Sequence, residues 1–150
     1  MESTSNRPLF VVDASVATKW HVLGEPSTRQ AEAILIDFQQ GHIDLVAPGC
    51  VRYEVPSAIR KTLRTRRLTT DEARASIQAF LDLRLPTIDE DELMLAAYQF
   101  TLRIGCSLYD GMYLALAEGL GCPLIHADLG LRNALHEHPF ETVRLDDWPL

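Results

Sequence analysis

Four acidic residues that lie far apart in the chain share one sequence context. They are Asp13, Glu54, Asp110 and Asp128. Each stands at or just beyond a place where an apolar, strand-like segment gives way to a helix, or opens an apolar helix. If those strands are parallel neighbours, their carboxyl ends meet in one crevice, where open α/β sheets place their chemistry. We therefore expect the four carboxylates to lie together.

The chemistry of such a cluster is that of a cation site. Four carboxylates in one crevice repel one another and would stay partly protonated unless cations joined them. A hard divalent cation that prefers oxygen ligands resolves this repulsion. The residue types therefore predict a site for such an ion.

The elements that would position the acids follow from the apolar pattern. Strands are predicted at about 9–12, 44–47, 85–88, 123–126 and 143–145, and helices at about 27–40, 48–67, 69–83, 89–104, 107–120 and 129–136. Strands that alternate with helices throughout indicate an α/β fold, a three-layer α/β/α sandwich with a mostly parallel sheet of about five strands. We expect a single domain over residues 1–150, with an ordered core of about 9–145.

The overall composition fits a cytoplasmic protein with a buried core. The 150 residues are 47% hydrophobic, with a mean hydropathy of −0.03. No apolar run is long enough to cross a bilayer, so no membrane partner is expected. The three cysteines are odd in number and lack the spacing of a disulfide framework or a zinc site, which favours the reducing cytoplasm.

The charge distribution separates an acidic body from one basic stretch. The net charge of −7 argues against a protein that grips nucleic acid with its whole surface. Six of the 14 Lys and Arg residues nevertheless fall between positions 52 and 67: Arg52, Arg60, Lys61, Arg64, Arg66 and Arg67. This stretch is either a phosphate-binding surface or a solvated helix face.

Each of the four acids also has a purely structural explanation. Asp13 and Asp128 are suited to cap helices, because a short carboxylate accepts backbone N–H bonds. Asp110 stands three residues after Ser107, which is a capping-box spacing. Glu54 would then be a solvated helix residue. The acids taken one at a time do not decide between these interpretations.

Longer motifs around the acids favour a shared site over four separate structural roles. They are Asp13-Ala14-Ser15-Val16 leading to Lys19-Trp20, Tyr53-Glu54-Val55-Pro56-Ser57-Ala58, and the block from Ser107 to Leu131 that contains Leu108-Tyr109-Asp110-Gly111 and His126-Ala127-Asp128. Together they resemble PIN-domain nucleases, and most closely the VapC-type toxins of bacterial and archaeal toxin–antitoxin pairs. The resemblance runs from about Leu9 to Leu145.

The resemblance implies an activity and partners. Asp13, Glu54, Asp110 and Asp128 match the family's four metal-site acids one by one, with Mg²⁺ or Mn²⁺ as the cofactor. The implied function is a metal-dependent endoribonuclease that hydrolyses RNA phosphodiester bonds, held inactive by a cognate antitoxin protein and often a homodimer. We expect Lys19, Arg52 and the stretch from Arg60 to Arg67 to contact RNA phosphates.

The chain departs from the family pattern at one position. The family usually has Thr, less often Ser or another small polar residue, where this chain has His126. His126 is either a satisfied, partly buried histidine or a residue that assists a water at the metal. Ser15 similarly either caps the next helix or steadies the metal site by a hydrogen bond.

Two rival functions can be distinguished from this one. A phosphatase-like hydrolase would use Asp13 as a covalent nucleophile, but it would need a second Asp at position 15, which is Ser15. A non-catalytic PIN-like binding module would keep the fold and act through protein partners. Metal-dependent cleavage of RNA separates both from the nuclease.

Overall fold

The centre of the fold is a parallel sheet of five strands. The computed structural model describes residues 6–22, 24–65 and 67–150. The strands are β1 (Leu9–Val12), β2 (Asp44–Pro48), β3 (Thr87–Ile88), β4 (Leu124–His126) and β5 (Thr142–Arg144). Their order in the sheet is β3-β2-β1-β4-β5, with every pairing parallel.

The strand order creates a crevice between β1 and β4. Strand β1 is central. Strands β2 and β3 lie on one side of it, and β4 and β5, which come later in the chain, lie on the other. Val11 pairs with Val46 of β2 and with Leu124 of β4, so β1 is hydrogen-bonded on both edges. A reversal of strand order of this kind is where open α/β sheets bind ligands.

Helices connect the strands. They are α1 (Ala14–Ala17), α2 (Thr28–Gln39), α3 (Val51–Arg64), α4 (Thr70–Asp82), α5 (Glu90–Ile104), α6 (Leu108–Leu120) and α7 (Leu129–Ala134), with 3₁₀ turns at Thr18–Trp20 and Leu145–Asp147. The predicted α/β sandwich is therefore confirmed, and the sheet is wholly parallel. None of the helices in the described ranges is both long and apolar enough to span a bilayer.

Several boundaries follow directly from local chemistry. Thr69 and Glu72 form a capping box at the start of α4: the Thr69 N–H donates to Glu72 Oε2 at 2.7 Å, and the Glu72 N–H donates to Thr69 Oγ1 at 3.2 Å. Gly121 ends α6 in the left-handed conformation, with φ of 63°, which glycine adopts without steric cost.

The helix predicted from Pro48 to Arg67 has different ends. Pro48 is the last residue of β2, where it pairs with Ile88 of β3, so α3 begins only at Val51. Sheet pairing outweighs the preference of proline for a first helical turn. At its other end α3 stops at Arg64, so Arg67 lies beyond the helix. Glu54 consequently lies in the first turn of α3.

Helix α6 is the buried centre of the helical layers. All seven residues from Gly111 to Ala117 are buried. A Cβ atom at Gly111 would lie 2.5 Å from the Ala97 carbonyl oxygen of α5, so this close approach of the two helices requires glycine. The position of Asp110, directly before Gly111, is therefore fixed by a tightly packed helix pair.

Candidate metal site

The four acids line one cavity at the carboxyl edge of the sheet. Asp13 follows β1, Asp128 lies just beyond β4, Glu54 is in the first turn of α3, and Asp110 is in the first turn of α6. All four contribute to the wall of a cavity of about 710 Å³, which we call the acid cavity. The four predicted site residues are thus brought to one place.

Asp13 is the most buried of the four. Its carboxylate caps α1 by accepting the Ser15 N–H at 2.9 Å, as the capping interpretation expects. Burial raises the pKa of Asp13 to about 7, and the charges of Glu54 and Asp110 add to the rise. The hydrogen bonds from Ser15 oppose this rise only in part. The charged form of Asp13 is therefore unfavourable unless a cation binds nearby.

A buried tyrosine holds Glu54. The Tyr113 hydroxyl donates to Glu54 Oε1 at 2.9 Å, and Tyr113 itself is fully buried in α6. Burial raises the pKa of Glu54, the bonds from Tyr113 and Cys50 oppose this, and the charge of Asp110 adds to it. Glu54 is therefore an oriented, half-buried carboxylate and not a solvated helix residue.

Asp110 and Asp128 complete the wall. The Asp110 N–H donates to the Ser107 hydroxyl at 3.0 Å, and the Asp128 carboxylate caps α7 by accepting the Leu131 N–H at 3.0 Å. Burial raises the pKa of Asp110, as does the charge of Asp128, while Ser107 opposes the rise. The capping interpretation is thus correct for the geometry of Asp128, but a carboxylate that accepts one hydrogen bond keeps further lone pairs for other ligands.

These residues fit a hard cation in their chemistry. Their donor atoms are all carboxylate oxygens. The charges of neighbouring acids raise the pKa values of Asp13, Glu54 and Asp110. Across the described ranges, however, no three His, Cys, Asp or Glu side chains converge closely enough to hold one ion. One ion bound here would therefore take no more than two of these carboxylates as they stand, with its other ligands supplied from elsewhere.

The sequence left two roles open for each of two neighbouring side chains, Ser15 and His126. The Ser15 hydroxyl accepts the Ala127 N–H at 3.0 Å, so it ties the start of α1 to the segment before Asp128, while Asp13 caps the helix. His126 is 3% exposed and its Nδ1 has no hydrogen-bond partner among the described residues, so it is neither partly buried nor fully satisfied. Burial lowers the pKa of His126, which Asp128 opposes.

His126 lines a neighbouring cavity and not the acid cavity. It lines a smaller cavity of about 290 Å³ that shares Lys19, Glu25, Ala127 and Asp128 with the acid cavity. The residues that line the acid cavity do not include His126.

The basic residues divide between several surfaces. Lys19, Lys61 and Arg67 line the acid cavity, whereas Arg60 lines a groove beside α4 and Arg52 lines a depression near Phe80. Arg67 lies beyond α3, which ends at Arg64, although the predicted helix over 48–67 included it. Arg66 lies outside the described residues.

One carboxylate pairs with two of the cavity's cations. Glu25 forms an ion pair with Lys19 at 3.7 Å and a closer one with Arg67. Glu25 therefore offsets positive charge at the edge of the acid cavity, where an incoming phosphate would compete with it.

Sequence reasoning gave no role to three tyrosines. Tyr113 holds Glu54 across 59 positions of sequence, a contact that no local pattern encodes. Tyr53 and Tyr109 line the acid cavity, each directly before one of the four acids. The sequence alone does not show that these two rings are exposed or that they lie on the wall of the cavity.

The chain is similar to proteins of one family over most of its length. The model of the PIN domain matches residues 10–135. Ribonuclease VapC12 of Mycobacterium tuberculosis is 36% identical over 133 residues, 89% of this chain and 96% of the relative. Ribonuclease VapC3 of Pyrobaculum aerophilum is 33% identical over 122 residues, 79% of this chain and 88% of the relative.

Solved structures agree on the fold. The structure of Mycobacterium tuberculosis VapC20, described as a Sarcin-Ricin loop cleaving toxin, superposes with a TM-score of 0.62 at 18% identity over 83% of this chain and 94% of that one. PAE2754 from Pyrobaculum aerophilum gives a TM-score of 0.62 at 19% identity over 93% of this chain and 85% of that one. Sequence and fold together show that this chain belongs to the PIN-domain family, as a VapC-type member.

Proposed function

We propose that this protein is a metal-dependent endoribonuclease that hydrolyses RNA phosphodiester bonds as the toxin of a VapBC-type pair. The observation that carries the proposal is the meeting of Asp13, Glu54, Asp110 and Asp128 in one cavity of a PIN-domain chain. The names of its relatives, which are VapC ribonucleases, support RNA as the substrate.

The four acids would share the binding of Mg²⁺ or Mn²⁺. Asp13 and Asp110 are proposed as the primary ligands, with Glu54 and Asp128 completing the set. A bound divalent ion of this kind activates water and stabilises the charge on the phosphate oxygens. The residues around it supply orientation: Tyr113 fixes one oxygen of Glu54, and Ser15 holds the backbone just before Asp128.

The cations of the cavity would bind the RNA backbone. Lys19, Lys61 and Arg67 present positive charge on the wall that the acids also line. A phosphate that binds there competes with Glu25 for Lys19 and Arg67, so RNA binding should weaken the Glu25 ion pairs. We expect an antitoxin to inhibit the enzyme by covering this same surface.

An exposed apolar stripe supports the proposed homodimer. Leu95, Tyr98 and Leu102 follow one another at i, i+3 and i+7 on α5, and all three are exposed. Such spacing places them on one face of the helix, where burial against a second copy would remove apolar surface from water. The free thiols of Cys50, Cys106 and Cys122 fit the proposed action in the reducing cytoplasm.

The test of the proposal is metal-dependent cleavage by purified protein. Single-stranded RNA should be cut in Mg²⁺ or Mn²⁺, cutting should stop on chelation, and it should resume when the metal is restored. Asp110→Asn should be inactive although folded, because it keeps the shape of the side chain and removes its charge. A folded wild-type protein that cuts no RNA across a range of metal concentrations would favour the non-catalytic binding module instead.

A further inference from the structure

Two unengaged tyrosines stand on the wall of the acid cavity. Tyr53 is 74% exposed and Tyr109 is 60% exposed, and both line this cavity. Within the described part of the chain, neither ring packs on another aromatic ring and neither hydroxyl has a hydrogen-bond partner. Tyr113 differs on every count, since it is buried and bonded to Glu54. Neither packing nor hydrogen bonding within the fold therefore explains the presence of Tyr53 and Tyr109.

Their positions are set by the same helix starts that position the acids. Tyr53 precedes Glu54 in the first turn of α3, and Tyr109 precedes Asp110 in the first turn of α6. Each ring is thus attached to a well-ordered helix and lies next to a carboxylate that we assign to the metal. Side chains carried by helices are positioned more precisely than side chains on loops.

The face of α3 that carries Tyr53 continues as a track along the cavity. Tyr53, Ser57 and Lys61 are spaced at i, i+4 and i+8 on α3, and all three line the cavity. An aromatic ring, a small polar residue and a cation follow one another in that order. An aromatic platform beside a phosphate-binding cation is the combination with which proteins hold single-stranded nucleic acid.

We propose that Tyr53 and Tyr109 are stacking platforms that bind unpaired RNA bases beside the proposed metal site. The inference rests on the proposed ribonuclease function and assigns the recognition of unpaired bases to these two side chains. A base in a duplex is already stacked and paired, so it offers no free face to either ring. The two tyrosines thus select accessible loops and single strands, while Lys61 contacts the backbone without regard to pairing.

Direct binding tests this inference without cleavage. An Asp13→Asn background in EDTA removes turnover, and fluorescence anisotropy then compares a short labelled single-stranded RNA with its fully paired duplex. Tyr53→Leu and Tyr109→Leu should each weaken single-strand binding by about tenfold, as expected for the loss of one stacked base. Tyr→Phe at either position should restore binding, because stacking needs the ring and not the hydroxyl. Ile36→Ala on α2 is the control for the loss of an exposed apolar side chain, since Ile36 is 49% exposed, does not line the cavity and lies outside the α5 stripe.

Two further readouts separate stacking from other roles. The salt dependence of binding should be unchanged in the tyrosine variants, because stacking releases no counterions. An RNA with abasic riboses around the cut should bind wild type and the Leu variants equally. If both Leu variants bind single-stranded RNA as tightly as the Asp13→Asn background does, the inference is overturned, whether or not wild type cuts RNA. If wild type cuts no RNA in metal, the proposed function fails on that separate result.

Discussion

Replacing Asp13 by Asn separates a metal ligand from a helix cap. Asn caps helices about as well as Asp, so the bond from the Ser15 N–H is retained. The substitution removes only the negative charge that burial and neighbouring acids make unfavourable. We therefore expect Asp13→Asn to abolish cleavage and to make the metal-free protein more stable.

The size of this stabilisation follows from the pKa of Asp13. Folding raises that pKa from 3.8 to about 7, so the folded state binds the proton more tightly than the unfolded state does. Protonation of Asp13 stabilises the folded state. This stabilisation is fully present below the pKa of 3.8 in the unfolded state, and it is lost as the pH rises through about 7. This difference in proton affinity between the two states corresponds to about 4 kcal/mol of unfolding free energy.

The assay is the difference in stability between the two proteins across pH. Urea unfolding in EDTA should give similar free energies for wild type and Asp13→Asn at about pH 4, with the variant gaining up to about 4 kcal/mol by about pH 8. For a domain of this size that gain raises the melting temperature on the order of 10 °C. Taking the difference removes the opposing contributions of His21 and His126, whose pKa values burial lowers.

Added Mg²⁺ provides the complementary readout. At pH 8 it should stabilise wild type and leave Asp13→Asn nearly unchanged, since a ligand stabilises only the state that binds it. A stability difference that stays flat across this pH range would refute the burial of an unfavourable charge at Asp13. Wild-type cleavage by the variant would refute its role as a ligand and leave the capping interpretation.

Three further predictions concern residues whose roles emerge from the structure. Lys61→Ala should weaken RNA binding and lower the slope of its salt dependence by about 0.7. Arg60→Ala should change neither, because Arg60 lines the groove beside α4. Binding titrations at several salt concentrations check this. Tyr113→Phe removes the hydrogen bond to Glu54 and should slow metal-dependent cleavage while the protein remains folded, as followed by initial rates and circular dichroism. Leu102→Glu in the apolar stripe of α5 should convert a dimer into a monomer in analytical ultracentrifugation, and unchanged sedimentation would exclude that face as the interface.

Much of the fold was predictable because it depends on local patterns. The alternation of apolar strands with helices indicated the sheet and five strand positions, and the Thr69–Glu72 capping box indicated the start of α4. Asp13 and Asp128 could be placed together because they follow strands, and parallel strands end at one edge.

The remaining features depend on contacts between distant residues. Pro48 stays in β2 because β3 pairs with it, and this shortens α3 at its start. The Ser15 hydroxyl meets Ala127 across 112 positions of sequence, so the choice between capping and steadying could not be made locally. Arg67 was included in the predicted helix over 48–67, but it lies beyond the end of α3 and pairs with Glu25.

The chemistry of the cut ends tests the central claim most directly. If the four acids support hydrolysis by water, RNA cut by the purified protein in Mg²⁺ carries 5′-phosphates, and no cutting occurs in EDTA. The measurement is end-specific labelling of the products from paired reactions with and without chelator. Cleavage that persists in EDTA and leaves cyclic phosphates would mean that the RNA's own 2′-hydroxyl attacks, and would contradict hydrolysis at a metal held by these acids.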